Sequence, residues 1–114
     1  MQILAARCST AAWAEQATTN DYKNLGTPWD KEHLKSCTLV VHNTGVANAA
    51  KVKVLGSVDG ENYDVEIQAE VEVAADGKKA ISWSDYYTHV VVQIKASVDG
   101  SQTTVAARAA GIPV

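Results

Sequence analysis

Phenylalanine is absent from this sequence, proline occurs only twice, methionine once and cysteine twice. Two cysteines, Cys8 and Cys37, without a C-x-x-C spacing are too few for a zinc ribbon or a disulfide scaffold. They read as two mostly buried thiols, with a bridge tying the N-terminal segment to the first core strand as the alternative. No apolar run approaches the roughly 18 residues needed to span a bilayer. The opening Met1 to Arg7 lacks the basic and long apolar regions of a cleaved leader, so neither a membrane partner nor secretion through a leader is expected. A basic run is missing too: ten basic side chains stand against thirteen acidic ones, a formal charge of −3. A line of phosphates would find nothing to neutralise it, and direct nucleic-acid binding is not expected.

What remains suits one folded unit. A chain of 114 residues buries roughly two-thirds of the surface its unfolded form exposes. With 46% apolar and 20% charged residues, disorder and a coiled coil are excluded by composition. From residue 37 onward apolar and polar residues alternate with period two, the mark of half-buried strands. The clearest run is Val65 to Ala75, with Val65, Ile67, Ala69, Val71, Val73 and Ala75 on one face and Glu66, Gln68, Glu70 and Glu72 on the other. Val52 and Val54 face inward against Lys51 and Lys53, and Val90, Val92 and Ile94 against Gln93 and Lys95. Further strands are expected over Cys37 to His42, Lys79 to Ser84 and Gln102 to Ala109. Asp59-Gly60, Asp76-Gly77 and Asp99-Gly100 are tight-turn signals, the first and last expected to close hairpins. Val52 to Gly60 and Val92 to Gly100 echo one another, both ending Ser-Val-Asp-Gly, and read as two strands using the same turn chemistry. The fold class expected is all-β: an antiparallel β-sandwich, jelly-roll or Ig-like, over residues 37–114.

Residues 1–36 differ in kind, balancing four basic against four acidic groups. After a short strand at Gln2 to Ala6, the alanine-rich Thr10 to Ala17 suggests two helical turns capped by Thr10. The following segment has loop composition and is too aromatic for a plain linker. The segment is therefore read as an extended N-terminal arm, with Trp13, Tyr22, Leu25 and Trp29 as its protein-binding anchors. An arm folded back over its own sandwich is the alternative.

Signals for chemistry are sparse. His33, His42 and His89 show no metal-binding spacing, no Gly-rich phosphate loop or G-x-S-x-G elbow is present, and Cys37 lies beside Leu39 and Val41 in an apolar pattern. No catalytic residue, cofactor or metal is expected, and the chain is not read as an enzyme. The ladder of Glu66, Gln68, Glu70 and Glu72 reads as an ionised, solvent-facing edge that resists aggregation, with Lys51, Lys53 and Lys95 as partners across strands or across a subunit boundary. Trp83, Tyr86 and Tyr87 offer an alternative stacking platform for sugar rings.

The run from Leu39 to Tyr63, with its Asn43-Thr44-Gly45 turn and its strand ending Ser57-Val58-Asp59-Gly60-Glu61-Asn62-Tyr63, resembles a pattern in small bacteriophage virion proteins. The region Tyr86-Tyr87-Thr88-His89-Val90-Val91-Val92-Gln93-Ile94-Lys95 is similar to their aromatic-then-alternating-valine strand. The likeness spans roughly residues 38 to 110, and the arm has no counterpart in it. The resemblance implies a non-enzymatic structural subunit: a capsid decoration or cement protein on the virion exterior, made in the host cytoplasm and bridging neighbouring capsid subunits. Its implied partners are the major capsid protein or other virion subunits and further copies of itself, a trimer being favoured. A carbohydrate-binding module, or a tail or neck accessory domain, is the alternative function.

Overall fold

A computed structural model describes residues 9–30 and 34–113. The elements are β1 (Ser9–Ala17), β2 (Lys23–Asn24), β3 (Trp29–Asp30), β4 (Leu34–Asn43), β5 (Ala50–Ser57), β6 (Val65–Val73), β7 (Lys78–Trp83), β8 (His89–Ala96) and β9 (Thr104–Pro113). They form two antiparallel sheets. The first has the order β1-β9-β4-β7, and the second β2-β8-β5-β6 with β3 also on β8. The protein is an all-β sandwich, 51 × 32 × 18 Å in extent.

The period-two pattern explains the core. Leu39 and Val41 of β4, Ala50, Val52 and Val54 of β5, Val90, Val92 and Ile94 of β8, and Val105 and Ala107 of β9 meet between the sheets, each at most 2% exposed. β-Branched side chains dominate because they pack well on a pleated, half-buried surface. Among the described residues only the β5–β6 connection closes a hairpin within one sheet; β4–β5, β6–β7, β7–β8 and β8–β9 all cross between sheets. Asp99-Gly100 therefore serves an arch between sheets and not the expected hairpin, whereas Asp59-Gly60 does lie in one. The two echoing strands, β5 and β8, are direct neighbours, with Val52 opposite Ile94 and Val54 opposite Val92.

β6 is an edge strand and departs from the simple alternation. Its register against β5 shifts twice between Val52 and Leu55, so Val65 and Ala69 are exposed and Val73 alone is buried there. Glu66, Glu70 and Glu72 face solvent. Bulges and charge together blunt an edge that would otherwise pair with another chain.

Residues 9–30 form strands β1, β2 and β3 and not the expected arm with a helix. Thr10 to Ala17 is not helical: it lies in β1, which runs antiparallel to β9 with Trp13 opposite Ala107. Alanine's helix preference is weak beside the hydrogen bonds that the open edge of β9 offers and the burial of Trp13. β2 and β3 then cross to the other sheet. Trp13 and Trp29, each 8% exposed, meet edge-to-face with centroids 6.0 Å apart, and Leu25 is 1% exposed. These three side chains belong to the core of their own subunit and are not surface anchors. Residues 9–30 thus supply strands to both sheets of the sandwich expected to begin at 37. The expected strand at Gln2 to Ala6, Cys8 with its bridge, and His33 lie outside the described residues.

Candidate functional site

The two outer faces of the sandwich are chemically unlike. On the first sheet the outward residues form three rows across the strands. Thr10, Ala110, Thr38 and Ser82 make one; Ala12, Arg108, Val40 and Ala80 the next; Ala106, His42 and Lys78 the third. Most are small, so the face is low and open, with the Thr38 and Ser82 hydroxyls 3.0 Å apart. Arg108 is the one long side chain at its middle and is exposed. A groove runs beside it, lined by Val40, His42, Lys78, Ala106, Ala107 and Arg108. His42 Nε2 lies 3.3 Å from Asp76 Oδ1 at the groove's end. Among the described residues neither Arg108 nor Lys78 has an acidic partner within ion-pair distance.

The second sheet's outer face is already occupied by its own chain. Tyr22, between β1 and β2, lies across it with the Lys53 ammonium 4.4 Å and the Lys95 ammonium 5.3 Å from its ring centre. Its hydroxyl donates to Glu70 Oε1 at 2.6 Å, and Lys51 approaches the other oxygen of Glu70 at 3.6 Å. Partial burial, then the hydrogen bond and the charge of Glu70, raise the Tyr22 pKa well above the ordinary phenol value. The same hydrogen bond, helped by Lys51, lowers that of Glu70. Ser97 donates to Glu72, and Gln93 to Asn24. Of the expected lysine partners of the glutamate ladder, Lys51 makes an ion pair, while Lys53 and Lys95 hold the tyrosine between the strands.

At one end of the slab the β5–β6 loop is built on Asp59. Its carboxylate accepts from the backbone N–H groups of Glu61 and Asn62, from the Asn62 amide and from Ser57 Oγ, at 2.7–2.9 Å. Those bonds, the two backbone ones foremost, hold its pKa well below the usual carboxylate range. Ser57 Oγ in turn accepts from the N–H groups of Asp59 and Gly60. The Ser-x-Asp-Gly motif is thus a self-contained turn. Glu61, Asp64 and Glu66 project around it, with Val58 67% and Val65 37% exposed.

The aromatic trio expected as a sugar platform does not assemble as one. Tyr87 packs over the Gly56 backbone and against the core, Trp83 is half-buried beside Cys37, and Tyr86 alone is well exposed. Trp83 Nε1 is shielded from water without an acceptor among the described residues. Among the described residues no group of three or more histidine, cysteine or acidic side chains is arranged to hold a metal ion. Arg108 was not among the residues singled out by sequence. Its signal was present: in Ala106-Ala107-Arg108-Ala109-Ala110 a lone cation sits at an outward position of an alanine strand.

No family model matches the chain, and a search of curated proteins returns no match. Solved structures do resemble it. The mitogen of Yersinia pseudotuberculosis aligns at TM-score 0.58 and 21% identity, covering 91% of this chain and 86% of that one. A subunit of the Bacillus endospore appendages, described as disulfide-linked pili, aligns at 0.51 and 6%, covering 94% and 88%. The VP2 subviral particle of infectious bursal disease virus aligns at 0.54 and 13%, over 94% of this chain but only 33% of that protein. The likeness is one of fold. One sandwich architecture serves a mitogen, a pilus and a viral particle, so function has to be argued from surfaces.

Proposed function

We propose that this protein is a non-enzymatic structural subunit of a virion, repeated on the capsid exterior as a decoration or cement protein that bridges neighbouring capsid subunits. One observation carries the reading: the outer face of one sheet is held closed by Tyr22, Glu70 and the lysines around them, while the other is bare, low and centred on Arg108. A slab 18 Å thick with one finished and one unfinished face suits a brace laid between larger subunits. The capsid and pilus proteins among its structural neighbours support an assembly role, and the resemblance of residues 38 to 110 to phage virion proteins supports the virion in particular. Trp13 and Trp29 stiffen the brace from within. Binding by such a subunit stabilises the assembled shell by mass action.

The test is to mix the purified protein with empty shells of the same virus. Saturation at a fixed stoichiometry and a raised shell melting temperature are expected. Failure to co-sediment at any concentration would overturn the reading.

A further inference from the structure

The carboxylates of the β5–β6 loop and the cations beside the Arg108 groove cannot satisfy one another within one chain. β4 ends at Asn43, close to His42 and Lys78, and β5 then runs eight residues away before the loop that carries Glu61 and Asp64 and leads into Glu66 at the start of β6. The loop therefore lies at the opposite end of the sandwich from His42 and Lys78. Among the described residues no ion pair is formed by Glu61, Asp64 or Glu66, and none by Arg108 or Lys78. Each surface pairs its charge with apolar matter of the complementary kind: exposed Val58 and Val65 flank the acids, and Val40 and Ala106 floor the groove between the cations.

We propose that the Arg108 groove docks the Glu61–Glu66 loop of a second copy of this chain, giving a head-to-tail contact between subunits. The guanidinium fork suits a carboxylate from a projecting loop, and arginine at the centre of a low apolar face is a common energetic anchor of interfaces. His42 is turned toward Asp76 at the groove's end. Lys78 and Arg108 are left to supply the positive field. The contact uses different surfaces on the two partners, so it closes into a ring where the rotation between subunits permits, as in a trimer, and otherwise continues as a filament. The inference rests on the assembly-subunit reading above and names its copy-to-copy surface.

Charge reversal in pairs tests it on the full chain. Arg108→Glu lies on an exposed position and Glu61→Lys/Asp64→Lys/Glu66→Lys changes exposed positions only, so both variants should stay folded, which circular dichroism and melting check. Sedimentation velocity of the wild type should show self-association that weakens as salt rises from about 0.05 to 0.5 M. Each variant alone should associate on the order of tenfold or more weakly. An equimolar mixture should regain association, because the intact loop of one variant meets the intact groove of the other. If wild type associates but Arg108→Glu associates equally well, or the mixture gains nothing over its components, the contact is wrong while the subunit reading stands. A wild type that stays monomeric yet binds shells likewise refutes the contact alone. One that neither self-associates nor binds shells refutes both.

Discussion

Asn43 is fully buried where β4 leaves its sheet, and every polar atom of its side chain is engaged. The amide donates to the carbonyls of Asn48 and Val73 at 2.9 and 3.0 Å, and its oxygen accepts from Gly45 N–H and Thr103 Oγ1 at 3.1 and 2.8 Å. Three connections between the sheets are joined by this one side chain. Gly45 is required beside it, since a Cβ there would lie 1.8 Å from Thr103 Oγ1. Asn43→Ala leaves several buried groups unpaired at once and should cost about 2–4 kcal/mol, read from urea unfolding. Asp59 predicts a pH effect. Its pKa is lowered on folding by the N–H groups of Asn62 and Glu61. The stability it contributes is therefore present above the unfolded-state value of about 3.9 and is lost as pH falls through that value toward the folded one. Wild type should lose urea resistance relative to Asp59→Asn as pH drops from about 5 to 2, and parallel curves for the two proteins would refute this.

At the scale of elements, close packing decides what the alternation leaves open. Gly56 sits near the end of β5 with the Tyr87 ring against its backbone: a Cβ would meet Tyr87 Cγ at 2.9 Å and Ile67 Cδ1 at 3.0 Å. Gly56→Ala pushes Tyr87 off the core or shifts β6, and should destabilise by about 1–3 kcal/mol in chemical unfolding, the usual cost of overpacking. A neutral effect would mean that Tyr87 moves freely. The same strand pair shows why β6 was only partly legible. Alternation correctly turned its glutamates to solvent, yet which of its valines are buried depends on bulges that answer to β5 and leave no mark in composition. β1 was illegible for another reason. In Ser9-Thr-Ala-Ala-Trp-Ala-Glu-Gln-Ala17 small residues fit a helix or a strand, and the choice was made by an unpaired edge of β9 nearly a hundred residues away. β2 and β3, two residues each, exist only because β8 is there to pair with.

For the whole molecule, connectivity has a kinetic consequence. The first sheet joins β1 to β9 and β9 to β4, so its centre is made entirely of distant pairings, and four of the five connections from β4 to β9 cross between sheets. Loop-closure entropy has to be overcome before those contacts form, and refolding should take milliseconds to seconds. Stopped-flow tryptophan fluorescence reads this directly, because Trp13 and Trp29 come together only when β1 and β3 have both docked. Microsecond recovery of their fluorescence would contradict the topology.

The sequence by itself determined the class of fold, the inward valines of β5 and β8, the outward glutamates of β6 and the turn chemistry at Asp59, because each depends on neighbours one to four residues away. The tertiary structure decided the rest. It placed Trp13, Leu25 and Trp29 inside the sandwich and laid Tyr22 over two lysines. It also set Arg108 between Ala12 and Val40 on an open face. Each of those outcomes depends on which strands become neighbours, and that choice is made by burial and edge pairing between residues far apart in the chain.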